Sequence, residues 1–161
     1  MDRETHRLLG DLIRGSSVAA LATLHDGRPA ASLIPYAIHV AGDGRLRLVT
    51  HVSRLSAHTR DMQAHPEVCL LVTAAEGSAA VPQALPRVSL PSTAAFVDRA
   101  DPDYELFAGR YLARFPQAAE WFALGDFSIV TLEPSGGRLV AGFARALNVS
   151  AAELAAAVSG S

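Results

Sequence analysis

Two periodicities alternate along the chain. Leu8, Leu9, Leu12 and Ile13 recur at helical spacing behind Asp2 or Thr5 as a cap, and Gly15 closes the stretch, which predicts an amphipathic helix over residues 1–15. Val18 to Leu24 then reads as a short apolar strand, and His25-Asp26-Gly27-Arg28 as a turn whose glycine takes positive φ. Ala30 to Val40 returns as a second strand. Pro35 lacks an N–H for the ladder, so this strand is expected to be interrupted or open on one side near Ile34 to Tyr36, leaving backbone groups free for a ligand. Gly42-Asp43-Gly44 turns the chain once more into Arg45 to Thr50.

The stretch from Leu46 to Val72 organises the rest: a strand, a short helix and a second strand around a polar centre. Ser53 is placed as the helix N-cap, Leu55, Thr59 and Met62 share one face, Ser56, Arg60 and Gln63 turn the other way, and Pro66 ends the helix. A helix start carrying hydroxyls, free N–H groups, His58 and Arg60 suits an anion, and a phosphate in particular. The same residues also serve a helix that is merely capped and solvated, so the local pattern leaves both readings open.

Beyond Val72, the run Thr73 to Leu85 has no periodicity and reads as a mobile loop. Arg87 to Val97, broken by Pro91, fits an edge strand or a bulge. Asp101-Pro102 is expected to open a helix with Tyr104, Phe107, Tyr111 and Leu112 on its apolar side. Pro116 starts a further turn through Trp121 and Phe122, whose rings are assigned to core. Gly125 to Leu132 and Arg138 to Ala146 read as two strands, and Ser150-x-x-Glu153 as a capping box for a frayed Ala-rich helix in a C-terminal tail, residues 147–161. About six strands with helices between hairpins argue a single α+β domain built on a small antiparallel barrel.

Composition narrows the chemistry. A chain of 161 residues, half of them hydrophobic, can bury one sizeable core, and a net charge of -2 gives neither a basic field for nucleic acid nor a polybasic membrane patch. The charged start MDRETHRLLGDLIRGSS and the lack of a long apolar run point to a cytoplasmic protein, with no membrane partner. Cys69 is the single cysteine, and the histidines form no HExxH-like pattern, so no metal site is expected. GxGxxG, Walker and GxSxG sequences are absent, which removes the main signals of the common nucleotide folds and of a serine hydrolase.

ASLIPYAI from Ala31, SRLSAHTRDM from Ser53, HPEVCLLV from His65, RVSL from Arg87, and GDFSIVTLEP with RLVAGFARA near the end stand in a telling order and spacing. Together they resemble the pyridoxamine 5′-phosphate oxidase-like FMN-binding split-barrel family, in its haem-utilisation branch. The resemblance implies a six-stranded antiparallel split β-barrel with flanking helices, paired as a homodimer, with FMN in a groove between subunits. It places Ser32, Leu33, Ile34 and Pro35 along the flavin, mostly through backbone groups. Thr50, His51, Val52 and Ser53 would follow the ribityl chain or ring edge, and Ser56, His58, Thr59 and Arg60 would surround the phosphate.

The chain differs from similar sequences at Ser56, Asp61, Ser92 and Ala144, where Ala, Asn, Gly and Gly are common, and Asp61 adds a negative charge near the proposed phosphate. Ser32 stands where pyridoxamine phosphate oxidases carry an Arg, and the terminal AAELAAAVSGS supplies no His for haem iron. The implied activity is an FMN-dependent oxidoreductase of unassigned small-molecule substrate or electron donor, in which the flavin N5 accepts or gives a hydride, with no catalytic acid or base assigned. A haem-binding or haem-degrading protein on the same barrel, and a flavin carrier or sensor without turnover, are the alternatives.

Overall fold

A computed structural model describes residues 1–160. The chain runs α1 (Arg3–Gly15), β1 (Val18–His25), β2 (Arg28–Pro35), β3 (Ala37–Val40), β4 (Leu46–Ser53), α2 (Ala57–Ala64), β5 (Glu67–Thr73), β6 (Arg87–Val97), α3 (Tyr104–Arg114), α4 (Ala119–Phe122), β7 (Phe127–Pro134), β8 (Gly136–Gly142), β9 (Arg145–Ser150) and α5 (Ala151–Ser159). Two 3₁₀ turns, Pro82–Ala84 and Pro116–Ala118, interrupt the connections.

The strands form one antiparallel sheet in the order β2-β1-β5-β6-β7-β4-β3. Its two ends, β2 and β3, are halves of a single stretch of chain broken at Tyr36. The sheet therefore curls on itself without closing, and with β2 and β3 taken as one interrupted strand the barrel has six. The break has a local cause. Pro35 offers no N–H, and the next residue leaves the ladder: the Tyr36 N–H donates to the Ser17 carbonyl at 3.1 Å and its buried hydroxyl to the Ile13 carbonyl at 2.7 Å. Leu21, Ile34, Leu48, Leu70, Leu90 and Leu132 fill the interior, and a second cluster of Ala37, Val49, Phe107, Tyr111 and Ile129 lies between the outer sheet face and α3.

Several expectations are corrected. β6 is a central strand: Glu67–Thr73 of β5 pairs along one edge, while the other edge is shared between β8 at Arg87–Ser89 and β7 at Ser92–Val97. Pro91 falls in the gap between those two partners on the shared edge, where no ladder donor is required. Arg138 to Ala146 is two strands, β8 and β9, folded back at Phe143-Ala144. The third helix begins at Tyr104, because Asp101 spends its carboxylate and carbonyl on the Asp103 and Tyr104 N–H groups of a preceding turn. The capping box at Ser150 and Glu153 forms as expected. The helix it starts is no frayed tail, since Leu154, Ala155, Ala157 and Val158 are buried and Arg14 donates to the Ala157 and Gly160 carbonyls.

The β8–β9 turn carries local strain, with Ala144 at φ 57° in the left-handed region that favours glycine. Ala144→Gly is expected to stabilise the protein by about 0.5–1 kcal/mol in urea unfolding, the gain from relieved strain set against added backbone entropy. A loss of stability would show that the Ala144 methyl group makes a contact worth more than the strain.

Candidate functional site

The split is bounded by the free edge of β2, the end of β4 and the start of α2. β2 pairs only with β1, and β3 pairs with β4 only as far as Val49, so Thr50 to Ser53 lie beyond the reach of β3. The Thr50 hydroxyl bridges the opening by donating to the Pro35 carbonyl at 2.8 Å. On β2, strand alternation turns Ser32 and Ile34 inward and Leu33 outward, where it is 66% exposed. The Ser32 Oγ is buried without a hydrogen-bond partner, a donor and acceptor left for something in the split.

The residues proposed from β4 divide between two faces. Thr50 and Val52 point toward the barrel interior. The His51 ring lies on the other face, stacked 3.9 Å from Phe122 and 4.9 Å from Phe127, with Tyr111 at 5.7 Å. Its side chain therefore cannot line a groove shared with Thr50. Burial, helped by the Arg99 charge, pushes its imidazole down to about 4, so it is neutral at physiological pH. Phe122 is half-buried in this stack, as expected of a core aromatic, whereas Trp121 is largely exposed on its edge.

Ser53 is the hub of the connection into α2 rather than its N-cap. Its Oγ donates to Asp126 at 3.1 Å and accepts from the Leu55 N–H, while its carbonyl accepts from Ser56 N–H and from the Thr59 hydroxyl at 2.7 Å. The cap is Ser56, and its side chain makes no capping bond, so the first N–H groups of α2 stay available. Starting the helix three residues later puts Leu55 in the loop, exposed, while Thr59 and Met62 remain buried. His58 is half-buried, and that burial lowers its imidazole. Arg60 is exposed and donates to the Leu55 carbonyl at 3.2 Å.

A polar cluster that the pattern did not disclose joins α2 to the first hairpin. Asp61, 6% exposed, accepts from Thr23 Oγ1 at 2.9 Å and lies 2.8 Å from His25 Nδ1. The His25 hydrogen bond holds the Asp61 carboxyl below its ordinary value, and the Asp61 bond raises His25. The available signal was parity. Thr23 and His25 continue the inward positions of Ala19 and Leu21, where a polar side chain needs a partner. Elsewhere, a cavity of about 640 Å³ between α1, the start of β1 and the β5–β6 loop is lined by Leu8, Leu12, Val18, Ala74 and Pro86, none of them a candidate residue. Among the described residues no helix is long and apolar enough to cross a membrane.

An open six-stranded antiparallel barrel with its split beside a short helix is the architecture of the FMN-binding split barrels. Residues 7–141 match the sequence profile of the pyridoxamine 5′-phosphate oxidase family, and the chain belongs to that family. It is 31% identical over 139 residues to the chloroplastic heme oxygenase HOZ of Arabidopsis thaliana, covering 84% of this chain but only 40% of the plant protein. It is 30% identical over 139 residues to the heme oxygenase HutZ of Vibrio cholerae, covering 83% of this chain and 74% of that one. A heme binding protein from Mycobacterium smegmatis has the same fold, with a TM-score of 0.83 at 22% identity over 97% of this chain and 62% of its own.

Proposed function

We propose that this protein binds haem and acts in haem turnover, as a two-fold pair of chains. The observation that carries the reading is the similarity, across the whole barrel, to two proteins named heme oxygenase. The fold offers what a porphyrin needs. Val18, Leu24, Leu33 and Leu71 leave an apolar outer face on β1, β2 and β5 uncovered, and a flat macrocycle or a second chain gains by covering it. Exposed Arg28 on the β1–β2 hairpin and exposed Arg60 on α2 are cations available to carboxylates. Bound haem would supply the redox-active iron, while the chain supplies apolar cover, counter-charge and exclusion of water.

FMN binding at the split is the second reading, favoured by a different observation: the unpartnered Ser32 hydroxyl together with the uncapped start of α2, both suited to a flavin phosphate. An FMN-dependent oxidoreductase or a flavin carrier would follow from it.

Titration with ferric haem and, separately, with FMN distinguishes the two. The haem reading expects a shifted Soret band saturating at one haem per chain. FMN fluorescence quenched on binding, with the haem spectrum left as in buffer, would transfer the assignment to flavin. Light scattering is expected to give twice the chain mass; a monomer at micromolar concentration contradicts the pairing.

A further inference from the structure

We propose that Asp61, with Thr23 and His25, forms a proton-operated clasp that holds the free end of the β1–β2 hairpin, one wall of the split, on α2. The inference does not depend on which ligand the chain takes.

The sheet leaves that end of the hairpin unsupported. β1 pairs with β5 only over Ala20–Ala22, and β2 has no partner but β1, so the ribbon from Thr23 through the turn to Ala30 has no further strand on either edge. The other end is secured, since the Tyr36 N–H donates to the Ser17 carbonyl and the Thr50 hydroxyl to the Pro35 carbonyl. A two-stranded ribbon in water is marginal by itself. Thr23 and His25 lie on its inner face, in line with Leu21 and its cross-strand partner Ser32. There both bond to one side chain. Asp61, 6% exposed, accepts from Thr23 Oγ1 at 2.9 Å through one oxygen and lies 2.8 Å from His25 Nδ1 through the other. Among the described residues, no other side chain of α2 is hydrogen-bonded to the hairpin.

The clasp has two settings. The Asp61 carboxylate only accepts, so His25 donates through Nδ1 in either protonation state: a neutral ring gives a hydrogen bond, a charged ring a hydrogen bond and an ion pair. Asp61 is ionised in both, because the His25 bond holds its carboxyl below the ordinary value. The same bond raises the His25 imidazole, so the stronger setting is complete below about 6.5 and is lost as the pH rises through the folded value. The neighbouring charges are fixed over this range. Asp26, 3.7 Å from Nε2, favours the charged ring, Arg60 on α2 opposes it, and Arg28 stands opposite on β2. His58 on α2 also faces Asp61, and burial holds its imidazole below the ordinary value, so it is neutral while His25 titrates. The Thr23 hydroxyl keeps Asp61 in place in both settings.

Amide exchange, followed peptide by peptide from pH 5.5 to 8.5 and corrected for intrinsic rates, tests the clasp on the wild type, His25→Gln and Asp61→Asn. Histidine NMR signals follow His25 itself, and urea midpoints show that each variant is folded. In the wild type, opening of residues 23–30 is expected to rise about two- to fivefold as His25 loses its proton, the factor for a partly exposed ion pair, while β6 and β7 keep constant protection. His25→Gln keeps a donor without the charge, so its opening should stay flat across the range, at the level the wild type reaches at high pH. Asp61→Asn should open the hairpin at every pH and return the His25 titration to its ordinary value. Wild-type exchange over residues 23–30 that does not change with pH overturns the proton control. A folded Asp61→Asn with wild-type protection there overturns the clasp as a whole.

Discussion

Acidifying from pH 6.5 to 4 is expected to destabilise the protein by about 3 kcal/mol through His51 alone, and His51→Phe should remove that part of the pH dependence. The imidazole is 7% exposed, held between Phe122 and Phe127, and its folded value is pushed down to about 4 from an ordinary 6.5. Because the folded value lies below the unfolded one, its contribution to stability is complete above about 6.5 and is lost as the pH falls through 4. The unfolded chain takes up the proton first, and the equilibrium follows it. Phenylalanine keeps the flat stacking surface and removes a buried, unpartnered Nδ1, so stability at pH 7 should be equal or higher. Urea unfolding from pH 4 to 7.5 on both proteins gives the comparison, and parallel curves would show that His51 is not the titrating group.

Gly10→Ala is expected to cost about 3 kcal/mol, the upper end of the ordinary range for an overpacked site. In an isolated helix this change would stabilise by about 1 kcal/mol, so the expected sign is itself diagnostic. A Cβ at Gly10 would lie 2.2 Å from the Ala157 carbonyl oxygen and 2.9 Å from Arg14 Nη1. The arginine can swing away, but the carbonyl belongs to the backbone of α5. Helix α5 must then shift off α1, loosening the Arg14 bond to Ala157 and the buried Leu154 and Val158. Urea unfolding reads the loss, and amide exchange locates it: protection should fall throughout α5. Unchanged exchange there would mean that the two helices tolerate the methyl group without separating.

These elements were legible in the sequence to different degrees, for physical reasons. Pro35 disclosed the split because a missing N–H cannot be disguised, and Ser150 with Glu153 disclosed a helix start because both halves of the capping box lie within one turn. Ser53 misled: Ser53 and Ser56 are equally good caps on paper, and only the tertiary bond from Ser53 to Asp126, 73 residues away, decides between them. Pro91 was read as an edge because sequence cannot show that one strand changes partners at that residue. The Phe143-Ala144 turn was missed since Ala144 sits where glycine is the usual signal. The candidate site was half legible. Thr50 lies at the break beside Pro35, and Ser56 and Thr59 open α2, but β-strand parity sends His51 to the other face. The His25–Asp61 pair spans 36 residues and leaves no local pattern.

Native mass spectrometry of the protein mixed with one equivalent of ferric haem tests the central claim most directly, because it counts chains and haems in the same particle. The account predicts two chains carrying two haems. Chains that remain haem-free at that ratio, whether single or paired, would contradict it.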